Sequence, residues 1–213
     1  MTKESTKRPA HAAWRRLKKN KIAIAGLFIV ILYVACAIFA PYISPHDPTK
    51  QSLADSFLMP SSGHLLGCDE FGRDILSRII WGARISLLIQ VSSVIVALLV
   101  GISLGALGGY YGGKLDELIM RFMDILLAFP GMLLALAIVA MLGPSVRNLI
   151  VAIGIYSVPQ FARITRGAVL AVSANEYVLG AKAIGESDLS VIVRYVLPNA
   201  LSPIIVQTTL RMA

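Results

Sequence analysis

Long stretches without a charged residue constrain this sequence more than any other feature. No Asp, Glu, Lys or Arg occurs in four stretches: 22–46, 85–113, 125–146 and 148–162. A helix rises about 1.5 Å per residue, so about 20 apolar residues cross the ~30 Å hydrocarbon core of a bilayer. The first three stretches are long enough to do so, although Pro130 in the third is expected to kink its helix. The fourth contains Pro159, and we expect its helix to continue past Arg163 and Arg166, whose long side chains can reach the membrane interface.

The composition also indicates a membrane protein. Hydrophobic residues make up 56% of the 213 residues, charged residues make up 15%, and the mean hydropathy is +0.73. Soluble domains contain about 25% charged residues. A further apolar run begins near Val196 and continues to Ala213, so we expect a fifth span that is incomplete. The sequence therefore predicts an all-α polytopic membrane helix bundle with four complete spans and a truncated fifth.

The basic N-terminal segment predicts how the bundle is oriented. Residues 1–21 contain one acid, Glu4, and eight basic residues: Lys3, Lys7, Arg8, Arg15, Arg16, Lys18, Lys19 and Lys21. Basic segments next to membrane spans remain in the cytosol. We therefore expect a basic cytosolic tail at 1–21, a first transmembrane helix at 22–40 and an extracytoplasmic loop at 41–84. Nucleic-acid binding is the alternative for the tail, but the membrane span directly after it favours a role in topology.

Residues 176–198 are predicted to form two short amphipathic helices on the cytosolic side. Apolar residues recur at helical spacing as Tyr177, Ala181 and Ile184, and then as Leu189, Ile192, Val193 and Val196. Gly185 suits the end of the first helix, and Pro198 stands where a following helix would begin. A helical pair with an apolar face must bury that face, and a partner protein is the natural candidate.

The same segment resembles the cytosolic coupling loop, or EAA motif, of ABC importer permeases. The residues at the motif's positions are Glu176, Gly180, Ala181, Ala183, Gly185, Leu197 and Pro198, with Gly180 in place of the first of two usual alanines. Residues 63–87 (GHLLGCDEFGRDILSRIIWGARISL) and 118–131 (LIMRFMDILLAFPG) are similar to the subgroup that imports dipeptides, oligopeptides and, in some members, nickel. With the N-terminal segment, these stretches cover nearly the whole chain.

This resemblance implies a permease subunit of an ATP-driven importer in the bacterial inner membrane, not an enzyme. Residues 84–213 would be a truncated type I ABC importer transmembrane domain, since a complete subunit has six spans. The implied partners are a second, homologous permease, two ATPase subunits and an extracytoplasmic solute-binding protein. ATP-driven closure of the ATPase subunits would push on 176–198 and switch the spans between outward-open and inward-open states. Peptides are the implied substrate, with nickel, glutathione and other small solutes as alternatives.

The coupling role is expected to rest on a few positions of this loop. Glu176, Ala181 and Gly185 should determine the shape and packing of the joint with the ATPase subunit. Leu197 and Pro198 complete the motif at its C-terminal end. Gly185 should matter because a side chain there would penalise the turn.

The sequence predicts no nucleotide, cofactor or metal site. Residues 108–115, GGYYGGKL, nearly match a phosphate-binding loop, but Leu115 replaces the Ser or Thr whose hydroxyl binds magnesium. We therefore expect a flexible turn that leaves the bilayer, with ATP hydrolysis in another subunit. A second cluster combines His64 with Cys68, Asp69, Glu70 and Asp74. Arg73 within that cluster argues against a metal ion, and an interfacial helix with Ile75, Ile79 and Trp81 facing the membrane or a partner is expected to follow.

Two further patterns concern helix packing. Gly101, Gly105 and Gly109 recur every four residues, a spacing that lets helix backbones approach closely in lipid. Helix packing is the favoured role, and a narrow passage for substrate along the same face is the alternative. Arg121 and Asp124 share a helix face and are expected to pair.

Two other functional classes remain open. An ion-driven secondary transporter should contain carboxylates buried within its spans, and apart from Asp124, near one end of a span, the sequence contains none. A membrane-embedded enzyme or scaffold should contain a cluster of polar catalytic residues at the interface. No such cluster stands out in the sequence.

Overall fold

The computed structural model describes residues 20–212, and its regular structure is helical. The helices are α1 (Lys21–Ile43), α2 (Ile75–Tyr111), α3 (Gly113–Ala128), α4 (Gly131–Leu142), α5 (Val146–Ser173), α6 (Glu176–Ala183) and α7 (Asp188–Met212). A short 3₁₀ turn, Leu53–Asp55, lies between α1 and α2. Within residues 20–212 there is no β-strand, only an isolated bridge between Cys68 and Asp74. The predicted all-α class is confirmed.

Among residues 20–212, three helices are long and apolar enough to cross a bilayer, namely α1, α2 and α7. Helices α3 and α4 form a fourth candidate if they are counted together, although they bend by 89° at the break between them. Pro130 explains the break, because a proline disfavours helical backbone in the residue before it, and Phe129 is extended. The kink predicted at Pro130 is therefore confirmed, and the stretch 125–146 is not one straight helix.

Helix α5 has the extent that the sequence predicts. It extends past Arg163 and Arg166 to Ser173, as expected, but it is not among the helices that are apolar enough to span a membrane. The two arginines and Gln160 lower its hydropathy. Many of its residues are instead buried against other helices of the chain.

The described residues divide into two compact units, which meet in sequence at residues 87 and 88. In the first unit, α1 begins after Asn20, whose side chain accepts hydrogen bonds from two N–H groups of the first turn. Most of its side chains are exposed, with Ala37 and Ala40 as the buried exceptions. Apolar side chains around the whole circumference are typical of a helix surrounded by lipid.

Helix α2 begins in the first unit and continues into the second. Its 37 residues correspond to a length of about 55 Å, well beyond the ~30 Å hydrocarbon core. The interfacial helix predicted around Ile75, Ile79 and Trp81 is therefore not a separate element, and these residues form the first turns of α2.

Close contact between α2 and α5 organises the second unit. A Cβ atom built on Gly101 would lie 2.4 Å from Cβ of Phe161, and one built on Gly105 would lie 2.4 Å from the carbonyl oxygen of Ala162. A Cβ atom on Gly109 would lie 2.8 Å from another carbonyl oxygen of α5. The two backbones can approach this closely only because these positions have no side chain.

Two groups of buried side chains fill the second unit. The first joins α2, α3 and α5 and consists of Val94, Ala97, Ile119, Met123, Val158, Phe161 and Ala162. The second joins α6 and α7 to α2 and α5 and consists of Ala106, Val169, Val178, Ala181, Val191, Ile192, Val196 and Ala200. The second group holds the segment 176–198 against the bundle.

Candidate functional site: the elbow at residues 176–198

Helix α6 and the first turns of α7 form an elbow, which we define as residues 176–198. Gly185 makes the bend with a φ of +86°, a conformation that L side chains rarely adopt. Its N–H donates to the carbonyl oxygen of Lys182 at 3.0 Å, and the N–H of Glu186 donates to that of Ala181 at 3.2 Å. These two bonds form a Schellman motif, which ends a helix with a left-handed residue. The bend predicted at Gly185 is confirmed.

The inner face of the elbow is packed within the chain. Val178 and Ala181 of α6 are buried, as are Val191, Ile192 and Val196 of α7. These residues contact the side chains of α2 and α5 in the second buried group. The elbow is therefore fixed to the bundle by apolar burial.

Helix α7 is continuous through Pro198. Residues Val191–Val196 form a π-helical segment, and the N–H of Leu197 donates to the carbonyl oxygen of Ile192. The wider π turn directly precedes the proline, which has no N–H of its own. The α-helical part predicted to begin near Pro198 does begin at Leu197, but it follows the π-helical segment without a break, so the end of the elbow is joined directly to the apolar helix.

The outer face of the elbow exposes apolar side chains on both sides of the bend. They are Tyr177, Leu179, Ile184, Leu189 and Val193. Ile184 is 80% exposed and Leu189 is 72% exposed. Exposed apolar side chains grouped in one short segment are typical of a surface that contacts another molecule.

The predicted amphipathic stripes assign several residues to the wrong face. Ala181 is buried and points into the chain, whereas Tyr177 and Ile184, predicted on the same stripe, are exposed. Likewise Ile192 is buried, whereas Leu189 is exposed. Both faces of the eight-residue α6 carry apolar side chains, so their spacing alone does not identify the inner face.

The other residues of the motif lie at the surface or the edge of the elbow. Glu176 is exposed in the first turn of α6, where a negative charge is favourable near the helix N-terminus. Gly185 and Pro198 are exposed, and Leu197 is partly buried. Ala181 therefore supports the elbow from within, while Glu176, Gly185 and Pro198 are accessible to a partner.

A tyrosine at the end of α2 contacts both sides of the bend. The hydroxyl of Tyr110 donates to Oδ1 of Asp188 at 2.7 Å. The Nζ atom of Lys182 lies 4.2 Å from the centroid of the Tyr110 ring, within the range of a cation–π contact. The sequence pattern did not indicate these contacts, because nothing local links Tyr110 to a partner 78 residues away.

Charged pairs connect α5 to α3. Arg166 donates from Nε and Nη2 to the two carboxylate oxygens of Asp116, each at 2.5 Å. Such a bidentate pair fixes both distance and orientation. Arg163 pairs with Asp124, and Arg121 pairs with a glutamate one turn earlier in α3. The predicted pair of Arg121 with Asp124 is therefore wrong, because α5 brings another arginine to Asp124.

The loop between α1 and α2 separates acidic residues that lie close together in the sequence. Asp69 accepts hydrogen bonds from the N–H groups of Phe71 and Arg73 and pairs with the guanidinium groups of Arg73 and Arg78. Partial burial opposes ionisation, yet these bonds lower the pKa of Asp69 to about 2. Asp74 lies in a different group, with His64 and Ser77.

Helices of bilayer length, joined to an elbow with exposed apolar side chains, define a multi-span membrane protein. More specifically, the chain belongs to the family of binding-protein-dependent transport system inner membrane components, whose model matches residues 97–213. Residues 8–60 match a second model, the N-terminal transmembrane domain of oligopeptide transport permease C. Both the elbow and the contact between α2 and α5 lie in the region matched by the first model.

Named relatives agree with this membership. The chain is 46% identical to a dipeptide transport system permease protein of Alkalihalophilus pseudofirmus, over 95% of the chain and 66% of the relative. It is 46% identical to a di/tripeptide transport system permease protein of Pseudomonas aeruginosa, with coverage of 95% and 69%. A glutathione transport system permease protein of Pectobacterium atrosepticum is 41% identical, with coverage of 98% and 69%. The chain spans about two thirds of the length of these relatives.

Proposed function

We propose that this chain is a permease subunit of an ATP-driven importer of dipeptides or oligopeptides. The observation that carries the proposal is the elbow, which has a buried inner face and an exposed apolar outer face. The family of the chain and its sequence identity to dipeptide and di/tripeptide permeases support the same function. The elbow would bind a groove on an ATPase subunit, as an amphipathic helix binds an apolar groove.

The proposed assembly contains several partners and assigns no catalysis to this chain. Two ATPase subunits hydrolyse ATP, a homologous second permease completes the translocation path, and an extracytoplasmic solute-binding protein delivers the substrate. The chain itself binds neither nucleotide nor nucleic acid in this scheme. Its family description, a binding-protein-dependent inner membrane component, supports a system with a separate binding protein.

We propose that the N-terminus is cytosolic in the bacterial inner membrane. The excess of basic residues in 1–21, a segment outside the described residues, supports this orientation through the positive-inside rule. The loop 41–84 is then extracytoplasmic, and the elbow returns to the cytosolic side, where ATPase subunits reside. Arg163, Lys182 and Arg194 add positive charge on the same side.

In the proposed mechanism, the elbow transmits movement of the ATPase subunits to the membrane helices. The buried contacts of Val178 and Val191 and the hydrogen bond of Tyr110 to Asp188 make the elbow a rigid extension of the bundle. Displacement of the elbow therefore moves α2, α5 and α7 together. The bundle alternates between outward-open and inward-open arrangements, which requires two packings of similar energy.

We propose that the three packing glycines keep α2 and α5 in close contact, so that the two helices move together. Backbone atoms of α5 already occupy the space beside Gly101, Gly105 and Gly109. This close approach supports helix packing and leaves no room for a substrate passage along that face.

Glutathione is the second candidate substrate. Glutathione permeases from three bacterial genera are 41% to 42% identical to this chain over 98% of its length. Glutathione is itself a tripeptide, so a site for short peptides and a site for glutathione share much chemistry. Nickel and other small solutes rank below both. An ion-driven secondary transporter ranks lowest, because Asp124 is already paired with Arg163.

Replacement of one exposed apolar residue of the elbow tests the docking proposal. Leu189→Asp places a charge on the outer face without removing a buried contact, since Leu189 is 72% exposed. We expect it to abolish co-purification of the ATPase subunits from detergent extract and to abolish ATP-dependent uptake of a labelled dipeptide. Leu65→Asp is the matched control, because Leu65 is a 63% exposed leucine in the loop between α1 and α2.

Equal loss in both variants, or normal co-purification with Leu189→Asp, would contradict docking by the elbow. Uptake that persists after ATP depletion while an ion gradient is maintained would support a secondary transporter instead. Competition between labelled dipeptide and glutathione in the same assay distinguishes the two candidate substrates.

A further inference from the structure

Three metal-ligating side chains from separate parts of the first unit meet in the loop between α1 and α2. His46 follows α1, His64 lies in the middle of the loop, and Asp74 directly precedes α2. One donor atom from each lies within 4.8 Å of the other two. We propose that these three residues form a binding site for a divalent transition-metal ion such as Zn²⁺.

The spacing fits a metal ion after small side-chain movements. Zinc binds histidine nitrogen and carboxylate oxygen at about 2.0–2.2 Å, which places tetrahedral donors about 3.4 Å apart. Nδ1 of His64 and Oδ1 of Asp74 are 3.0 Å apart, and the two imidazole centroids are 4.6 Å apart. Donor shifts of about 1 Å at most would place all three atoms around one ion, and water would complete the coordination.

A hydrogen bond outside the cluster fixes the tautomer of His46. Nε2 of this residue lies 2.8 Å from the carbonyl oxygen of Gly63. A carbonyl oxygen can only accept, so Nε2 carries the proton and Nδ1 retains its lone pair. Metal-binding histidines typically donate their second nitrogen to a carbonyl or carboxylate in this way.

Ser77 holds the carboxylate in place. Its N–H and hydroxyl donate to Oδ2 of Asp74 at 2.8 and 2.6 Å, which leaves Oδ1 directed at His64. The hydroxyl oxygen of Ser77 also accepts a hydrogen bond from the backbone N–H of His46 at 3.0 Å. One buried serine therefore positions two of the three ligands, as expected of the outer shell of a metal site.

The positive charge that seemed to exclude a metal ion is directed elsewhere. Arg73 lies next to Asp74 in sequence, but its Nε donates to Asp69 at 2.8 Å, and Arg78 pairs with the same carboxylate. Asp74 is only 3% exposed, and the ionisable side chain that it contacts within the cluster is the imidazole of His64. The cluster also differs from the one suggested by sequence spacing, because His46 replaces Cys68, Asp69 and Glu70.

Metal binding would exchange an ion for the proton that His64 and Asp74 share. In the neutral imidazole of His64 this proton moves from Nδ1 to Nε2, so that Nδ1 donates its lone pair to the ion while Asp74 remains ionised. No electron transfer or further reactant is needed. The bound ion would link the end of α1, the middle of the loop and the start of α2, and so would stabilise the fold of this loop.

Titration of the purified chain with Zn²⁺ tests the proposal. The chain is prepared in detergent with an affinity tag that lacks histidine, and binding is followed by calorimetry and by the visible absorption of Co²⁺. We expect one equivalent of metal to bind. His64→Gln and Asp74→Asn should each lower the affinity at least about 100-fold, and Ser77→Ala should lower it about 10–100-fold. Glu70→Gln, an exposed carboxylate of the same loop, should leave the affinity unchanged.

The stoichiometry of the unmodified chain decides the question even if a variant folds poorly. Absence of a one-equivalent site would refute the proposal and leave only a proton-bridged histidine–aspartate contact. Unchanged affinity in His64→Gln would refute it as well. Zn²⁺ should also raise the thermal-denaturation midpoint of the unmodified chain and not that of His64→Gln. These measurements use neither ATP nor a partner subunit, so they are independent of the proposed transport function.

Discussion

Replacement of Gly105 by alanine is a direct test of the contact between α2 and α5. The added Cβ atom would lie 2.4 Å from the carbonyl oxygen of Ala162 and 2.7 Å from Cβ of Thr165. Ordinary contacts begin at about 3.4 Å, so the helices must separate locally by about 1 Å. Overpacking of this kind costs about 1–3 kcal/mol.

The steric cost of Gly105→Ala is measured against a matched substitution. Gly167→Ala introduces the same methyl group on α5, where no atom other than those of the adjoining residues and helix backbone lies within 4 Å of the added Cβ. Both changes gain the same helix propensity, about 1 kcal/mol, so their difference isolates the steric cost. We expect Gly105→Ala to be less stable than Gly167→Ala by about 1–3 kcal/mol. Each kcal/mol corresponds to about 2–4 °C in the thermal-denaturation midpoint of a chain this long.

Thermal denaturation in detergent and uptake in cells together distinguish packing from a substrate passage. Packing predicts that Gly105→Ala lowers stability and uptake together. Equal stability of the Gly105→Ala and Gly167→Ala chains, combined with altered uptake in the first alone, would refute the packing argument and favour a passage along this face.

Three further predictions concern the elbow and the loop. Gly185→Ala should cost about 1–2 kcal/mol, because φ is +86°, and should reduce uptake more than ATP hydrolysis. Gly180→Ala adds a methyl group in open space on α6 and should neither destabilise the chain nor reduce uptake. Tyr110→Phe removes the hydrogen bond to Asp188 and should lower the denaturation midpoint by an amount equivalent to about 1 kcal/mol. Adding Asp188→Asn to the Tyr110→Phe chain should not lower the midpoint further. The pKa of Asp69 is about 2, below its unfolded value of about 3.9, so its stabilising bonds should persist above about pH 4 and weaken as the pH falls towards 2. Limited proteolysis should cleave the loop faster as the pH falls through this range. Equally fast cleavage at neutral pH would contradict the stabilising role of Asp69.

The sequence predicted most of the helices correctly, because the signals for them are local. Charge-free stretches mark the apolar helices, and Gly185 marks the bend of the elbow through its own backbone freedom. The resemblance of 176–198 and 63–87 to importer permeases agrees with the family match. Pro130 also predicted a kink in its helix, although the size of the bend, 89°, is visible only in the structure.

The partners of ion pairs and the buried faces of helices were predicted less well, because they depend on which helices come together. Asp124 pairs with Arg163 of α5 and not with Arg121 of its own helix. Ala181 is buried although Tyr177, on the same predicted stripe, is exposed. A short helix with apolar residues on both faces acquires an inner face only when a neighbouring helix covers one of them.

The sequence by itself determined the class of protein, since a run of apolar residues can satisfy its backbone in lipid only as a helix. It also determined the bend at Gly185 and the family. Tertiary structure alone decided that Gly105 has α5 backbone beside it, that Tyr110 contacts Asp188, and that His46 joins His64 and Asp74. Each of these contacts joins residues distant in sequence, and only the packing of helices and loops brings such residues within a few ångströms.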